Sequence, residues 1–151
     1  QQVKELSHAV TAVTHNHPEG LKGAEATAMA IYLARTGSSI EDIRRYTRRH
    51  YYDMNFTLDD IWEDYLFNET CQETVPQALQ AFFESDGFED AIRNAISLGG
   101  DSDTLAAITG SVAAAYYGVP TDIRQKIMEY MDKFHLSILR EFERRYPAAA
   151  K

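Results

Sequence analysis

Asn94-Ala-Ile-Ser-Leu-Gly-Gly-Asp-Ser-Asp-Thr-Leu-Ala-Ala-Ile-Thr-Gly-Ser-Val-Ala-Ala-Ala-Tyr-Tyr-Gly118 reads as helix, glycine break, acidic turn, helix. An apolar periodic run ends at Leu98. Gly99 and Gly100 stop it, because glycine takes the left-handed dihedrals that close a helix C-terminus. Asp101-Ser102-Asp103-Thr104 then opens a helix of small residues, and oxygen-bearing side chains suit such a start because they accept from free N–H groups. Two readings of Asp101, Asp103 and Thr104 stand side by side. One is an N-cap, with acids at the positive end of the helix dipole. The other is a hard-cation site: two carboxylates at i and i+2 and a hydroxyl are the oxygen ligands that Mg²⁺ and Mn²⁺ prefer. The glycines would let backbone and ligand approach closely. It is not an EF-hand, whose later acidic positions are missing.

Upstream, Val3, Leu6, Val10 and Val13 form an approximate helical stripe. It ends in Thr14-His15-Asn16-His17-Pro18, where proline disfavours helical backbone at His17 and favours a new helix start. His15 and His17 are an H-x-H pair, yet no Cys or carboxylate cluster nearby completes a zinc tetrahedron. The alternative is a polar junction whose imidazoles cap backbone groups. Residues 20–35 are rich in alanine, which predicts a central helix in close contact with others. Gly37 closes it. Ser38-x-x-Glu41 reads as a capping box for the next helix. Ile40, Ile43 and Tyr46 give that helix an apolar side. Arg44, Arg45, Arg48 and Arg49 lie opposite, as a solvated face or a grip for an acidic group.

Residues 50–56 read as an aromatic loop, and 58–66 as a short acidic amphipathic segment around Trp62, packed at the core edge or stacked on a base. Glu69 and Glu73 disfavour a reactive thiolate at Cys71, which reads as a small buried residue. Thr74-Val-Pro-Gln77 starts a helix with Ala78, Leu79, Ala81, Phe82 and Phe83 in the core. Ser85-Asp86-Gly87 turns the chain. Phe88, Ala91, Ile92, Ala95 and Ile96 share one face of the helix after it, with Arg93 and Asn94 placed to position the acidic turn. Val119-Pro120-Thr121 starts one long final helix with an apolar stripe from Ile123 through Ile127, Phe134 and Ile138 to Phe142. Pro147 ends it, leaving 148–151 as a frayed tail.

The 151 residues suit one domain, with 44% hydrophobic and 25% charged residues. No run of 18 apolar residues predicts a membrane span, and the first residues do not form a signal peptide. A single cysteine excludes an internal disulfide framework and suits a reducing cytoplasm. A formal net charge of −8 argues against non-specific nucleic-acid binding. Strand-like alternation is absent, so the fold reads all-α.

Ser97-Leu-Gly-Gly-Asp-Ser-Asp-Thr-Leu-Ala-Ala-Ile-Thr-Gly110 with Ala115-Tyr-Tyr-Gly118 closely resembles the ADP-ribosylglycohydrolase family. Three further stretches match in the same order: Thr14-His-Asn-His-Pro-Glu-Gly20 with Gly23-Ala-Glu-Ala-Thr-Ala28, Asn68-Glu-Thr-Cys-Gln-Glu-Thr-Val-Pro-Gln-Ala-Leu79, and Phe88-Glu-Asp-Ala-Ile-Arg-Asn-Ala-Ile-Ser97. The resemblance implies a compact all-α helical domain over residues 1–147. It implies Mg²⁺- or Mn²⁺-dependent hydrolysis of the N- or O-glycosidic bond between ADP-ribose and an acceptor. Asp101, Asp103 and Thr104 would bind metal, with Asp103 bridging two ions. His15 would contact the substrate ribose, and Gly99, Gly100 and Ser102 would shape the turn around it.

The family also carries an N-terminal glycine-aspartate signature and a Thr-Asp-Asp metal motif. Neither is found here, since Leu58-Asp-Asp60 follows a threonine one place too early. The chain therefore resembles the C-terminal part of a family member, holding half of a dinuclear site. The catalytic acid or base is expected in the absent portion. Three outcomes stay open: the missing half comes from another segment or chain, the protein binds ADP-ribose without turnover, or it is a helical interaction module in which Asp101 and Asp103 only cap.

Overall fold

The computed structural model describes residues 1–147, and the expected frayed tail at 148–151 lies outside the described residues. Nine helices and no strand occur among the described residues: α1 (Gln2–Thr11), α2 (Pro18–Arg35), α3 (Ile40–His50), α4 (Leu58–Ile61), α5 (Cys71–Phe83), α6 (Phe88–Ser97), α7 (Ser102–Tyr117), α8 (Thr121–Tyr130) and α9 (Lys133–Arg145). No helix among them is long and apolar enough to cross a membrane.

The core sits where α2, α5, α6 and α7 pack together. Helix α7 presents Leu105, Thr109, Val112 and Ala113 inward, a spacing that keeps one face buried. Against it lie Val75, Ala78, Leu79 and Phe82 of α5. Phe82 is fully buried, with the rings of Tyr116 and Tyr117 edge-on at 5.6 and 6.0 Å. Burial of such a side chain contributes about 1.5–3 kcal/mol. Two bonds lock the layer: Thr109 Oγ1 donates to the Ala78 carbonyl at 2.8 Å in the buried core, and the half-buried Tyr117 hydroxyl donates to the Ser85 carbonyl at 2.6 Å. A second cluster joins Leu58, Ala81, Ala95, Leu98 and Leu105 beneath the α6–α7 turn.

The alanines of α2 do what their size predicts: Ala26, Ala30 and Ala34 are buried. At Gly23 a Cβ would meet Cys71 Cβ at 2.9 Å and Sγ at 3.0 Å, so only glycine lets α5 start this close to α2. Cys71 itself is half-buried rather than buried.

Several boundaries move. Helix α5 starts at Cys71, three residues before the expected Thr74, because Asn68 Oδ1 accepts from the Thr70 N–H at 2.8 Å and its hydroxyl at 2.6 Å, an Asx turn that launches the helix early. Pro76 consequently lies inside α5 rather than in its first turn. The cap of α3 is Ser39, not Ser38: its Oγ accepts from the Asp42 N–H at 3.1 Å and donates to the Asp42 carboxylate at 2.7 Å. Residues 58–66 are helical only over Leu58–Ile61, where Thr57 and Asp60 form a capping box. The long final helix is two helices. Met131 takes extended backbone, and Asp132 caps α9 by accepting from the His135 N–H at 2.8 Å. The apolar stripes of α1 and α9 are exposed, and so is Ile96 of α6.

Candidate functional site

The α6–α7 turn is built by two glycines. Gly99 and Gly100 have φ of 75° and 59°, left-handed values that L side chains rarely adopt. Gly100 is also pressed on by neighbours: an added Cβ would meet Tyr65 Cε1 at 3.0 Å and the Leu66 carbonyl oxygen at 3.3 Å. Tyr65 is fixed in turn by donating its hydroxyl to the Glu73 carbonyl at 3.0 Å. Burial pushes the Tyr65 hydroxyl above its ordinary pKa; a hydrogen bond with Thr74 opposes this, and the charges of Asp101 and Glu73 reinforce it. Sequence reading missed Tyr65 as part of this turn, since its contact with Gly100 spans 35 residues.

Asp101 occupies the N-cap position of α7, yet its side chain makes no capping bond. Its carbonyl accepts from the Leu105 N–H at 3.0 Å, so the backbone enters the helix normally. The capping role open to the Asp101 side chain is therefore not taken. The Asp103 carboxyl is held below the usual carboxylate range, first by a hydrogen bond with the Asp101 side chain, then by the backbone N–H groups of Thr104 and Asp103. The two carboxyl groups thus lie within hydrogen-bonding reach of each other. Asp103 and Thr104 are exposed; Asp101 and Ser102 are half-buried.

The donors present suit a hard cation: two carboxylates and a hydroxyl within four consecutive residues. They are a partial set. No group of three or more His, Cys, Asp or Glu side chains that could hold a metal occurs among the described residues.

His15 lies at the α1–α2 junction, exposed, with Nδ1 at 2.8 Å from Thr14 Oγ1. His17 orders that junction: it is the N-cap of α2, and its Nδ1 accepts from the Glu19 N–H at 3.2 Å. No hydrogen bond or ion pair among the described residues joins His15 to Asp101–Thr104. Helix α2, which follows His15, packs against α7, which follows the acidic turn.

Arg93 and Asn94 do not reach the acidic turn. Arg93 pairs with Glu89 at 2.6 Å, and Asn94 Nδ2 donates to the Ala81 carbonyl at 3.3 Å, tying α6 to α5. In the arginine cluster, Arg45 pairs with Asp42 at 3.0 Å and Arg44 lies 5.6 Å from the Phe83 ring centroid. Trp62 is exposed.

The family profile for ADP-ribosylglycohydrolases matches residues 1–148. The ADP-ribosyl-[dinitrogen reductase] glycohydrolase of Rhodospirillum rubrum is 25% identical over 142 residues, covering 93% of this chain and 46% of that protein. An ADP-ribosylarginine hydrolase, Tri1, of Serratia proteamaculans is 46% identical over 46 residues, 30% of this chain and 13% of that one. A solved structure described as an ADP-ribosylglycohydrolase-related protein complex superposes with a TM-score of 0.61 at 28% identity, covering 78% of this chain and 45% of its own. The chain thus spans about half the length, or less, of the relatives it matches. With a family profile covering almost every residue and a matching all-α fold, the chain belongs to the ADP-ribosylglycohydrolase family.

Proposed function

We propose that this chain supplies one half of a divalent-metal centre that hydrolyses the glycosidic bond between ADP-ribose and a protein side chain or small acceptor. The observation that carries this reading is the facing pair of carboxyls, Asp101 and Asp103, at the start of α7. Asp101, Asp103 and the Thr104 hydroxyl would hold Mg²⁺ or Mn²⁺. When bound, such an ion orients ribose hydroxyls and places a water. The chain's own groups do the rest of what is present here. Gly99 leaves open space where a Cβ would stand, so a ligand could approach the turn there, while Gly100 lets the turn close on Tyr65 and Leu66 and Ser102 adds a hydroxyl beside them. His15, with Nδ1 engaged by Thr14, offers Nε2 to a ribose hydroxyl.

The remaining metal donors and the general acid or base would come from the share of the family fold that this chain does not span, on the same polypeptide or on a second chain. The single cysteine suits work in a reducing compartment such as the cytoplasm.

Calorimetric titration with ADP-ribose, with and without Mn²⁺, tests the reading. Mn²⁺ should tighten binding at least tenfold in the wild type and not in the Asp101→Asn/Asp103→Asn variant. Release of ADP-ribose from an ADP-ribosylated protein should be abolished by EDTA wherever turnover is seen. Metal-independent turnover, or equal metal enhancement in the variant, refutes it. Metal-free binding without turnover favours a non-catalytic ADP-ribose-binding protein.

A further inference from the structure

Helix α2 buries Gly23, Ala26, Met29, Ala30 and Ala34 together with one charged residue, Glu25, which is only 7% exposed. A buried carboxylate is costly unless its oxygens are satisfied. Here they are satisfied from two sides. Oε1 takes the Lys4 ammonium at 2.7 Å and the Tyr51 hydroxyl at 2.7 Å, and Oε2 takes His8 Nε2 at 2.8 Å. Lys4 also lies 5.5 Å from the Tyr51 ring centroid. Burial pushes the Glu25 carboxyl up, but the bonds from Lys4, Tyr51 and His8 outweigh it and leave the carboxyl below its ordinary value. Nearby, Lys22 is paired with Glu19 at 2.8 Å, and a hollow beside Glu25 is lined by His8, Lys22, His50 at the end of α3 and Tyr51 just after it.

Helix α1 has little else to hold it. None of its residues is buried, Leu6 and Val10 face solvent, and it packs on α2. Lys4 and His8 are one turn apart, so both reach Glu25 from the same face. The end of α1 in turn fixes His15: its N–H donates to the Thr11 carbonyl at 2.8 Å, and the Thr14 N–H donates to the same oxygen at 3.1 Å.

We infer that Glu25 is a positioning residue: it clamps α1 onto α2 through Lys4 and His8, and so sets where His15 stands at the mouth of the substrate site. The role of His15 rests on the proposed function; the clamp itself does not. Since α1 is held by charge rather than by apolar burial, exchanging one carboxylate oxygen for an amide nitrogen is enough to release it.

Hydrogen exchange on this chain tests the clamp directly. In Glu25→Gln, amides of residues 2–16 should exchange at least tenfold faster, while those of α5 and α7 stay within twofold. The Lys4→Gln/His8→Gln variant, which leaves the α2 core untouched, should do the same. Unchanged exchange over residues 2–16 in both variants overturns the inference. Equal acceleration across α5 and α7 in both also overturns it, since Glu25 would then support the whole fold. The positioning role is read by a double-mutant cycle on ADP-ribose affinity. Glu25→Gln and His15→Ala should each weaken binding, and together should weaken it no more than His15→Ala alone. Additive losses would contradict action through His15. If the wild type binds no ADP-ribose, the proposed function fails, while the exchange experiment still decides the clamp.

Discussion

The α2–α5–α7 layer and the α8–α9 pair both carry clear apolar stripes, and only one of them is covered. In the layer, the periodic residues are the buried ones: Leu79, Phe82, Leu105 and Val112 lose essentially all contact with water. In α8 and α9 the same type of pattern meets solvent, with Tyr130 81% and Phe134 68% exposed. Arg124 and Glu143 join the two helices at 2.7 Å, and the Arg35 guanidinium donates to the Pro147 carbonyl at 3.0 Å. Amphipathic period therefore says that a face needs cover. It does not say that the cover lies within the same 151 residues.

Truncations at matched aromatic positions should break the two regions apart most visibly. Phe82→Ala should cost about 3–5 kcal/mol in urea denaturation, and Phe142→Ala less than about 0.5 kcal/mol. Similar losses at both sites would mean that α9 packs as a core element. Next in size is Gly23→Ala, where the new Cβ meets Cys71 and the start of α5 must shift. A loss of about 1–3 kcal/mol is expected, and a neutral result would show that the α2–α5 contact is looser than described.

The Glu25 cluster sharpens the comparison through pH. Its folded pKa lies below the ordinary 4.5. Its stabilisation is therefore complete above the unfolded value and is lost as pH falls through the folded one. Below about pH 4.5 the wild type should lose stability more steeply than Glu25→Gln; parallel pH profiles would show that the carboxylate does not stabilise the fold. The smallest global effect is expected at Asp132→Ala. A lost N-cap costs about 1 kcal/mol locally, so exchange at the start of α9 should quicken while the melting temperature of the core stays put. A lowered core melt would tie α9 to the layer.

Much of the fold was legible because its signals are local. The alanines of α2, the glycine pair at Gly99–Gly100 and the small-residue face of α7 each act within a few residues. What was misread involved a competing local bond or a distant partner. Asn68 started α5 early by an Asx turn. Asp132 broke a stripe that otherwise runs unbroken from Ile123 to Phe142, because a cap bond to His135 outweighs apolar period there. At the site, donor identity could be read from Asp101, Asp103 and Thr104, but their arrangement could not: the Asp101 side chain turns to Asp103 instead of capping α7. Tyr65 against Gly100, and Glu25 between Lys4 and Tyr51, depend on contacts across 20 residues or more. A glutamate inside an alanine-rich buried helix was the one signal available for Glu25.

The most direct test of the account is the thermal melt of this chain with and without Mn²⁺, beside Asp101→Asn/Asp103→Asn. At a hundred times its dissociation constant the ion should add about 2.7 kcal/mol, which raises the melting temperature of a chain this size by roughly 5–10 °C. That shift is expected in the wild type, and its loss in the variant. No shift in the wild type, or the same shift in both, would contradict the assignment of Asp101 and Asp103 as metal donors.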